Sequence, residues 1–402
     1  MGRDRIAVAL AGGGPLGGIY ELGALVALDE VLIGVDLTAC DSYVGVSSGS
    51  LIAAGLANGI TPRAMHRMFI ESEAAEDPFE PEILLRPAFG EYARRLGAVL
   101  PLVLDASWHY LSSLSSRGFF ESFARLSQAL PTGLFDNRPI DDYLRRLFSM
   151  PGRSNDFREL PHQLYLVATD LDSGASVPFG APGFDHVPIS TAVQASAALP
   201  GLYPPVEIDG HYYVDGALRK TLHASVALRH GAKLVLCINP LVPFDADLAI
   251  KRGHPKRHKL VEGGLPVVLS QTFRAIIHSR MQVGMATYGA RFKDADVVLF
   301  EPDRDDTEMF FTNVFSYAGR RRLAEHAYQR TRAELSRRAD KLAPVLARHG
   351  VRIDHAVLAN SSRSLLARPG RINRKHARKL GRTLLELDMA LDRLESRQQA
   401  RR

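Results

Sequence analysis

Ser47 stands at the centre of a Gly-x-Ser-x-Gly pattern, between a short apolar run and a segment of helix-forming residues. Its neighbours are Gly45, Val46, Ser48 and Gly49. A serine that projects from a tight strand-to-helix turn needs small flanking residues, because larger side chains would fill the turn. Serine acts as a nucleophile towards acyl groups when a nearby base accepts its proton. We therefore interpret Ser47 as a candidate nucleophile, with Gly45 and Gly49 as the flanks of a nucleophile elbow.

A glycine-rich stretch precedes this pattern and directly follows the apolar run Ile6–Leu10. Residues 12–17 read Gly-Gly-Gly-Pro-Leu-Gly and open a predicted helix. Backbone N–H groups at a helix N-terminus favour negative charge, and glycines let a ligand come close to that backbone. The N–H groups near Gly12, Gly13 and Gly14 are therefore candidates for binding a developing anion.

A third element places Asp215 at the end of an apolar run, with Gly216 directly after it. Each of the three patterns has low specificity by itself. Asp-Gly is a common turn, Gly-x-Ser-x-Gly occurs by chance, and the glycines of residues 12–17 also fit Gly-x-Gly-x-x-Gly. Their joint occurrence, each next to a predicted strand, is far more specific for acyl-transfer chemistry.

Apolar runs that alternate with helical segments predict the elements that position these residues. The alternation is typical of a mainly parallel sheet. Helices are predicted at Gly17–Leu32 and Ser48–Asn58. The predicted strands are Ile6–Leu10, Ser42–Gly45, Gln163–Thr169, Val206–Asp215, Lys233–Asn239 and Asp296–Glu301.

Two regions depart from this alternation. Residues of about 75–150 are rich in Leu, Phe and Arg and predict a helical cap inserted into a domain of residues 1–350. Residues 351–402 predict a basic helical extension, with cations concentrated in Arg371–Arg382. Leucines at 4-3-4-3 spacing share one face of that helix: Leu380, Leu384, Leu387, Leu391 and Leu394.

Composition and charge limit the classes of function. The chain has 402 residues and a net charge of +6, which is too weak to indicate a nucleic-acid partner. No uncharged apolar stretch is long enough to span a membrane, and no secretory leader precedes the first strand. We therefore expect a cytoplasmic location. Cys40 and Cys237 lie far apart without a CxxC motif, which predicts two buried free thiols.

On these motifs the sequence resembles the patatin-like phospholipase family over about residues 6–240. The resemblance is carried by AGGGPLGGIYELGAL at residues 11–25, GVSSG at 45–49, YVDGA at 213–217 and the lead-in at 195–216. It implies a three-layer α/β/α patatin-like fold with a mainly parallel sheet. It also implies hydrolysis of lipid acyl esters such as phospholipids or lysophospholipids, without a metal or an organic cofactor.

The same resemblance implies a catalytic pair that contains no histidine. Ser47 is then the nucleophile, Asp215 the base, and the N–H groups of residues 12–14 the oxyanion hole. We expect Asp215 to be partly desolvated, because an ordinary Asp with a pKa of about 3.9 is a weak base. Two positions depart from the family pattern: Leu16 stands where a cation is usual, and Ala217 where a second glycine often follows.

Three other functions stay open at this stage. A dinucleotide-binding oxidoreductase would use the glycine pattern and Asp36, but this leaves the serine and Asp-Gly patterns unexplained. A Ser-His-Asp esterase would need a histidine such as His223, which we interpret, like His211, as a surface or core residue. A catalytically weak patatin-like lipid-binding protein is favoured by the apolar Leu16.

The expected partner is a phospholipid or another acyl-ester lipid, and the oligomeric state stays open. The basic C-terminal region supports the hypothesis of peripheral binding to anionic membrane surfaces, because a leucine face with flanking cations suits a lipid interface. The alternative is that the leucine face packs against the core or against another subunit.

Overall fold

The computed structural model describes residues 4–72, 79–88, 131–220, 222–254, 259–313 and 316–366. The chain divides into two units, Met1–Arg363 and Ser364–Arg402. Most of the predicted helical cap and most of the predicted C-terminal extension, including Arg371–Arg382 and the leucine face, lie outside the described residues. The predicted domain boundary after residue 350 stays a prediction.

The strands of the described residues form one large sheet and one small one. The large sheet contains eight strands: β1 (Ile6–Leu10), β3 (Ser42–Val46), β4 (Gln163–Asp170), β5 (Ser176–Phe179), β6 (Val206–Ile208), β7 (His211–Asp215), β8 (Leu234–Ile238) and β9 (Asp296–Phe300). The small sheet pairs β2 (Leu32–Ile33) with β10 (Arg352–Ile353) in antiparallel orientation.

The described α-helices connect and cover these strands. In chain order they are α1 (Gly14–Val31), α2 (Ser48–Ala57), α3 (Pro62–Phe69), α4 (Arg138–Phe148), α5 (Ile189–Ser196), α6 (Ala224–Arg229), α7 (Ala246–Lys251), α8 (Gly264–Arg291), α9 (Thr307–Phe311), α10 (Tyr317–Arg337), α11 (Ala339–Arg348) and α12 (His355–Ala359). Short 3₁₀ turns lie at Pro81–Leu85, Phe157–Glu159, Gly216–Leu218 and Leu260–Gly263.

The strand order is β6-β7-β4-β3-β1-β8-β9, with β5 also paired to β4. The five strands β4, β3, β1, β8 and β9 run parallel to their neighbours in that series. The strands β5, β6 and β7 add antiparallel pairs at one side. The prediction of a mainly parallel sheet is therefore confirmed.

Helices cover both faces of the sheet, which explains why its central strands are apolar throughout. Every residue of β1, β3 and β8 is buried, as is typical of parallel strands with helices on both sides. On one face, side chains of β1, β3 and β8 join α6 and part of α8 in a single apolar cluster. On the other face, α2 packs so closely that a Cβ on Gly49 would lie 2.8 Å from Leu10 Cβ. The result is a three-layer arrangement.

One predicted strand proved to be two. The run Val206–Asp215 folds as the hairpin β6–β7, because Asp209 and Gly210 adopt φ values of 52° and 80°. Asp-Gly with positive φ at both residues is the preferred two-residue hairpin turn. The sequence analysis assigned no element to α8, which is the longest helix of the described residues.

Two further expectations concern cysteines and membrane-spanning segments. Cys40 and Cys237 are both buried and neither forms a disulfide, as predicted. Within the part of the chain that the structure describes, no helix combines the length and the apolar character needed to cross a membrane.

Candidate active site

The register of the sheet brings Ser47 and Asp215 into line. Val46 pairs with Val167 in the parallel ladder of β3 and β4, so the next residue, Ser47, is level with Ala168. Ala168 in turn pairs with Asp215 in the antiparallel ladder of β4 and β7. Two residues that are distant in sequence therefore meet at the same edge of the sheet.

The pairing of β1 with β3 brings the glycine loop level with Ser47. Leu10 pairs with Gly45 in the parallel ladder of β1 and β3, which places Gly12 level with Ser47. A Cβ on Gly12 would lie 2.8 Å from Ser47 Cβ and 3.2 Å from Ala217 Cβ. All three predicted motifs thus converge at one point, and Gly12 lies where no side chain fits.

Ser47 occupies a backbone conformation that few residues adopt. Its φ and ψ angles are 52° and −125°, and it sits between β3 and α2. A Cβ on Gly45 would lie 2.6 Å from Ser50 Cα, and one on Gly49 would lie 2.5 Å from the Ala11 carbonyl oxygen. The positive φ and the two crowded glycines are the features of a sharp, strained turn that presents its serine.

A buried serine from α5 holds this turn in place. The Ser47 backbone N–H donates to Ser196 Oγ at 2.9 Å, and Ser196 Oγ donates to the Val167 carbonyl at 2.7 Å. The Ser47 carbonyl accepts from Ser50 N–H at 2.9 Å. The sequence analysis did not identify Ser196. It lies 149 residues from Ser47, and its only signal is its place in the small-residue segment before Asp215.

Asp215 is almost completely buried and lies next to the candidate nucleophile. Only 2% of the residue is exposed. Its carboxylate accepts a hydrogen bond from Ala217 N–H at 2.8 Å, and the nearby Ser47 hydroxyl favours its ionised form. Loss of solvent raises the pKa of Asp215 to about 6, although the Ser47 hydroxyl and Ala217 N–H act in the opposite direction. The expected desolvation of this carboxylate is therefore present.

The turn after Asp215 requires its glycine. A Cβ on Gly216 would lie 2.1 Å from the Val167 carbonyl oxygen, so any larger residue would push the turn off the sheet. Asp215 N–H donates to the Ala198 carbonyl at 3.0 Å, and Thr169 Oγ1 donates to the Asp215 carbonyl at 3.3 Å. The backbone of Asp215 is therefore anchored on both sides.

The start of α1 offers backbone donors without a side-chain cap. The helix begins at Gly14, and the preceding Gly13 makes no capping hydrogen bond through a side chain. Gly14 has a φ of 59°, which glycine adopts without strain. Leu16, in the first turn, is partly buried and places no charge there. The backbone and the helix dipole are thus the electropositive groups of this loop.

The segment after β8 supports the glycine loop. This support was not predicted from the sequence. A Cβ on Gly13 or on Gly17 would lie 2.8 or 3.0 Å from Pro240 Cγ, so the proline packs directly against the loop backbone. The guanidinium of Arg274, on α8, donates to the carbonyls of Pro240 and Val242 at 3.3 Å. No local motif marks these residues, because the contact forms only in the folded chain.

The two histidines considered as possible catalytic residues, His223 and His211, are respectively buried and exposed. His223 is buried, and loss of solvent together with the nearby Lys220 charge lowers its pKa to about 3. The carbonyl of Gly216 favours a proton on its ring but does not offset this effect. His211 is exposed, with Nδ1 3.3 Å from a carboxylate oxygen of Asp170. These observations agree with our interpretation of both residues as a core and a surface histidine.

The tight fit of Gly12 against Ser47 generates a first prediction. Gly12→Ala should lower esterase activity by at least about 100-fold, because the new methyl displaces Ser47 or the loop by a few tenths of an ångström or more. Gly18→Ala is the matched control, since its Cβ would lie at an ordinary 3.5 Å from Ser48 Cβ. It should keep activity and raise the melting temperature. Equal activity of both variants would contradict the close approach.

Ser196→Ala is predicted to destabilise the protein and to slow acyl transfer. It leaves the Ser47 N–H and the Val167 carbonyl buried without a partner, which costs about 1–3 kcal/mol per group. Thermal melts and the separate values of kcat and KM test this. We expect kcat to fall more than KM rises, because the serine turn loses its position. An unchanged kcat in a less stable variant would show that Ser196 has only a structural role.

Comparison with known proteins identifies relatives for the region that contains this site. A family model for patatin-like phospholipase matches residues 8–228. Patatin-like phospholipase domain-containing protein 6 of Homo sapiens is 26% identical over 248 residues, which cover 61% of this chain but 14% of the relative. An uncharacterized NTE family protein of Mycobacterium tuberculosis is 28% identical over 136 residues, which cover 34% of this chain and 35% of the relative. The chain thus spans only a small part of the length of these relatives.

Two solved structures are similar in part. VipD from Legionella pneumophila has a TM-score of 0.36 and 15% identity, with 83% of this chain and 67% of that chain covered. The type III effector ExoU has a TM-score of 0.36 and 16% identity, with 84% and 53% covered. The family match extends over more than half of the 402 residues and includes both Ser47 and Asp215. This chain therefore belongs to the patatin-like phospholipase family.

Proposed function

We propose that this protein hydrolyses lipid acyl esters, as a phospholipase A or a lysophospholipase does, through an acyl-enzyme on Ser47. The observation that carries the proposal is the convergence of Ser47, the buried Asp215 and the glycine loop at one edge of the sheet, next to the start of α1. Membership in the patatin-like phospholipase family supports lipid acyl hydrolysis in general.

In the acylation step, Ser47 Oγ attacks the ester carbonyl carbon while Asp215 accepts the hydroxyl proton. A pKa of about 6 makes Asp215 a stronger base than a solvated aspartate and leaves it mostly ionised at neutral pH. Its proton then passes to the leaving alcohol oxygen. His223 is a poor candidate for this base because its pKa of about 3 lies well below that of Asp215.

The oxyanion of the tetrahedral intermediate is held by backbone N–H groups of the glycine loop. Gly12, Gly13 and Gly14 provide close backbone approach, and the N-terminus of α1 contributes its dipole. Loss of one such donor typically costs about 3–4 kcal/mol of transition-state stabilisation. Since Leu16 is apolar, this stabilisation comes from the backbone rather than from a cationic side chain.

The deacylation step uses the same groups in reverse. Asp215 takes a proton from a water molecule, which attacks the acyl carbonyl and forms a second tetrahedral intermediate. The bond between the acyl carbon and Ser47 Oγ then breaks, Ser47 recovers its proton, and a free fatty acid leaves. The protein side chains supply all the proton transfers in this scheme.

A second candidate function is that of a catalytically weak lipid-binding protein. Leu16 favours it, because the family usually has a cation at this position and this chain has none there. We also propose a cytoplasmic location with peripheral binding to anionic membranes through the basic C-terminal region.

The decisive experiment compares Ser47→Ala with Ser48→Ala. Ser48 Oγ is buried without a hydrogen-bond partner among the described residues, so its removal should be harmless. We expect Ser47→Ala to lose at least about 99% of activity on short nitrophenyl esters and on a phospholipid extract read by mass spectrometry. A fluorophosphonate probe should label wild type and Ser48→Ala only. Absence of wild-type hydrolysis and labelling would favour the lipid-binding alternative.

The raised pKa of Asp215 predicts how activity and stability depend on pH. It also predicts that Asp215→Asn lowers activity but raises stability. The base must be ionised, so wild-type activity should fall about ten-fold per unit as the pH drops below about 6. Folding favours the protonated carboxyl, so this group destabilises the fold as the pH rises through about 6. Asp215→Asn should therefore be inactive and, at pH 8, more stable by about 1–3 kcal/mol. A less stable Asn variant would contradict the desolvation of Asp215.

A further inference from the structure

Helix α8 carries a row of apolar side chains that face solvent. Leu265, Ile276 and Val283 are 69%, 52% and 68% exposed, and Leu269 is exposed as well. Their spacing of 4, 7 and 7 residues places them on one side of the helix. Large exposed apolar patches of this kind mark sites of interaction. We call these four residues the α8 face.

The charges around the α8 face are positive. The 28 residues of α8 include no Asp or Glu, whereas Arg280 and Arg291 are both exposed. The segment before the helix, Lys251–Lys259, reads KRGHPKRHK. Of its described cations, Arg252 is ion-paired with Asp305 at 2.7 Å, Lys259 lies 3.9 Å from Glu262, and Lys251 is exposed. The surface therefore combines exposed hydrocarbon with more cations than carboxylates.

The opposite side of α8 contacts the segments that build the candidate active site. Arg274 donates to the carbonyl of Pro240, whose ring packs against the glycine loop. Further along, α8 contacts the Gly216–Leu218 turn, and a Cβ on Gly284 would lie 4.0 Å from Lys220 Cε. The α8 face is thus the outer side of a helix. The inner side of this helix contacts Pro240, which supports the glycine loop, and the turn after Asp215.

We propose that the α8 face docks on the surface of an anionic phospholipid bilayer and holds the Ser47 site next to its substrate. The proposal rests on the proposed lipid hydrolysis. An amphipathic helix with apolar residues on one side and nearby Lys and Arg lies in the interface between headgroups and acyl chains. Each cation close to an anionic surface adds to this binding.

Charge complementarity favours a lipid surface over a second copy of this chain. A symmetric contact between two α8 faces would bring Arg280 and Arg291 against a second helix that includes no Asp or Glu to compensate their charge. Anionic headgroups supply that compensation along the whole helix. Long Arg and Lys side chains can also reach the headgroups while the apolar side chains beside them enter the acyl region.

The test uses the full chain with Ser47→Ala, so that vesicles are not degraded during the measurement. The variant Leu265→Gln with Ile276→Gln removes half of the α8 face without adding charge. The matched control is Ile33→Gln with Leu171→Gln, two residues that are 45% and 51% exposed outside α8. Co-sedimentation is measured with vesicles of phosphatidylglycerol and, separately, of phosphatidylcholine.

We expect the parent protein to bind phosphatidylglycerol vesicles more tightly than phosphatidylcholine vesicles, and the difference to shrink as salt is raised from about 0.1 M to about 1 M. The Leu265→Gln and Ile276→Gln variant should bind at least about ten-fold more weakly, whereas the control should bind within about two-fold of the parent. Equal binding by the two double variants, or no vesicle binding by the parent, would overturn the proposal.

Separate measurements distinguish a folding defect, self-association and failure of the proposed function. Val283→Gln, at the other end of the α8 face, must also weaken binding, and both α8 variants must melt like the parent. A parent dimer that dissociates in these variants, without any change in vesicle binding, would overturn the proposal in favour of a second copy.

With Ser47 restored, the α8 variants should hydrolyse soluble esters normally but vesicle lipids more slowly. Absence of soluble-ester hydrolysis in the wild type would contradict the proposed function and leave the vesicle-binding result to stand separately.

Discussion

Close contact between three backbone turns is the constraint on which the rest of this structure depends. The glycine loop, the serine turn and the Asp-Gly turn all end at one edge of the sheet, and there is no room for a side chain at Gly12 or Gly216. A Cβ would come within 2.8 Å of another atom at Gly12 and within 2.1 Å at Gly216. The parallel strands β1 and β3, and β7 beside β4, are what hold these turns level with one another. A one-residue shift in any of these ladders would separate Ser47 from its partners.

The same packing places a carboxylate where its charge is unfavourable. The carboxylate of Asp215 is buried among apolar strands, where Ala217 N–H and the nearby Ser47 hydroxyl are the groups that favour its charge. Burial of this carboxylate therefore costs stability at neutral pH and raises its pKa to about 6, as is common at functional sites. Ser196 has a comparable role for the backbone, because it satisfies the buried N–H of a serine held at positive φ. Strain and desolvation at this site are offset by the extensive core of the sheet and its helices.

The proposed function requires a lipid to reach this buried pair, and we propose that the protein meets its substrate at the lipid surface. The α8 face and its cations lie on the outer side of a helix whose inner side supports both the glycine loop, through Arg274 and Pro240, and the turn after Asp215. Binding at the outer side would therefore be close to the reacting groups without involving them. The apolar Leu16 agrees with this arrangement. Attraction of anionic lipid would come from the α8 face and its cations, and stabilisation of the oxyanion would come from the backbone of the glycine loop.

The sequence by itself predicted which residues make up the candidate site, and only the tertiary structure decided how they are held and exposed. Glycines at sharp turns, Ser47, Asp215 and the apolar strands leave local patterns, because a positive φ or a crowded turn restricts the residue type at that position. The hairpin at Asp209 and Gly210 had such a signal too, although the run was assigned as one strand. Ser196, Pro240 and Arg274 had none, because their contacts join residues that are far apart in sequence. Nor can the spacing of apolar residues in α8 indicate which side faces solvent, since periodicity records a shared face but not what covers it. Burial, and with it the pKa of Asp215, depends on the packing of the whole fold.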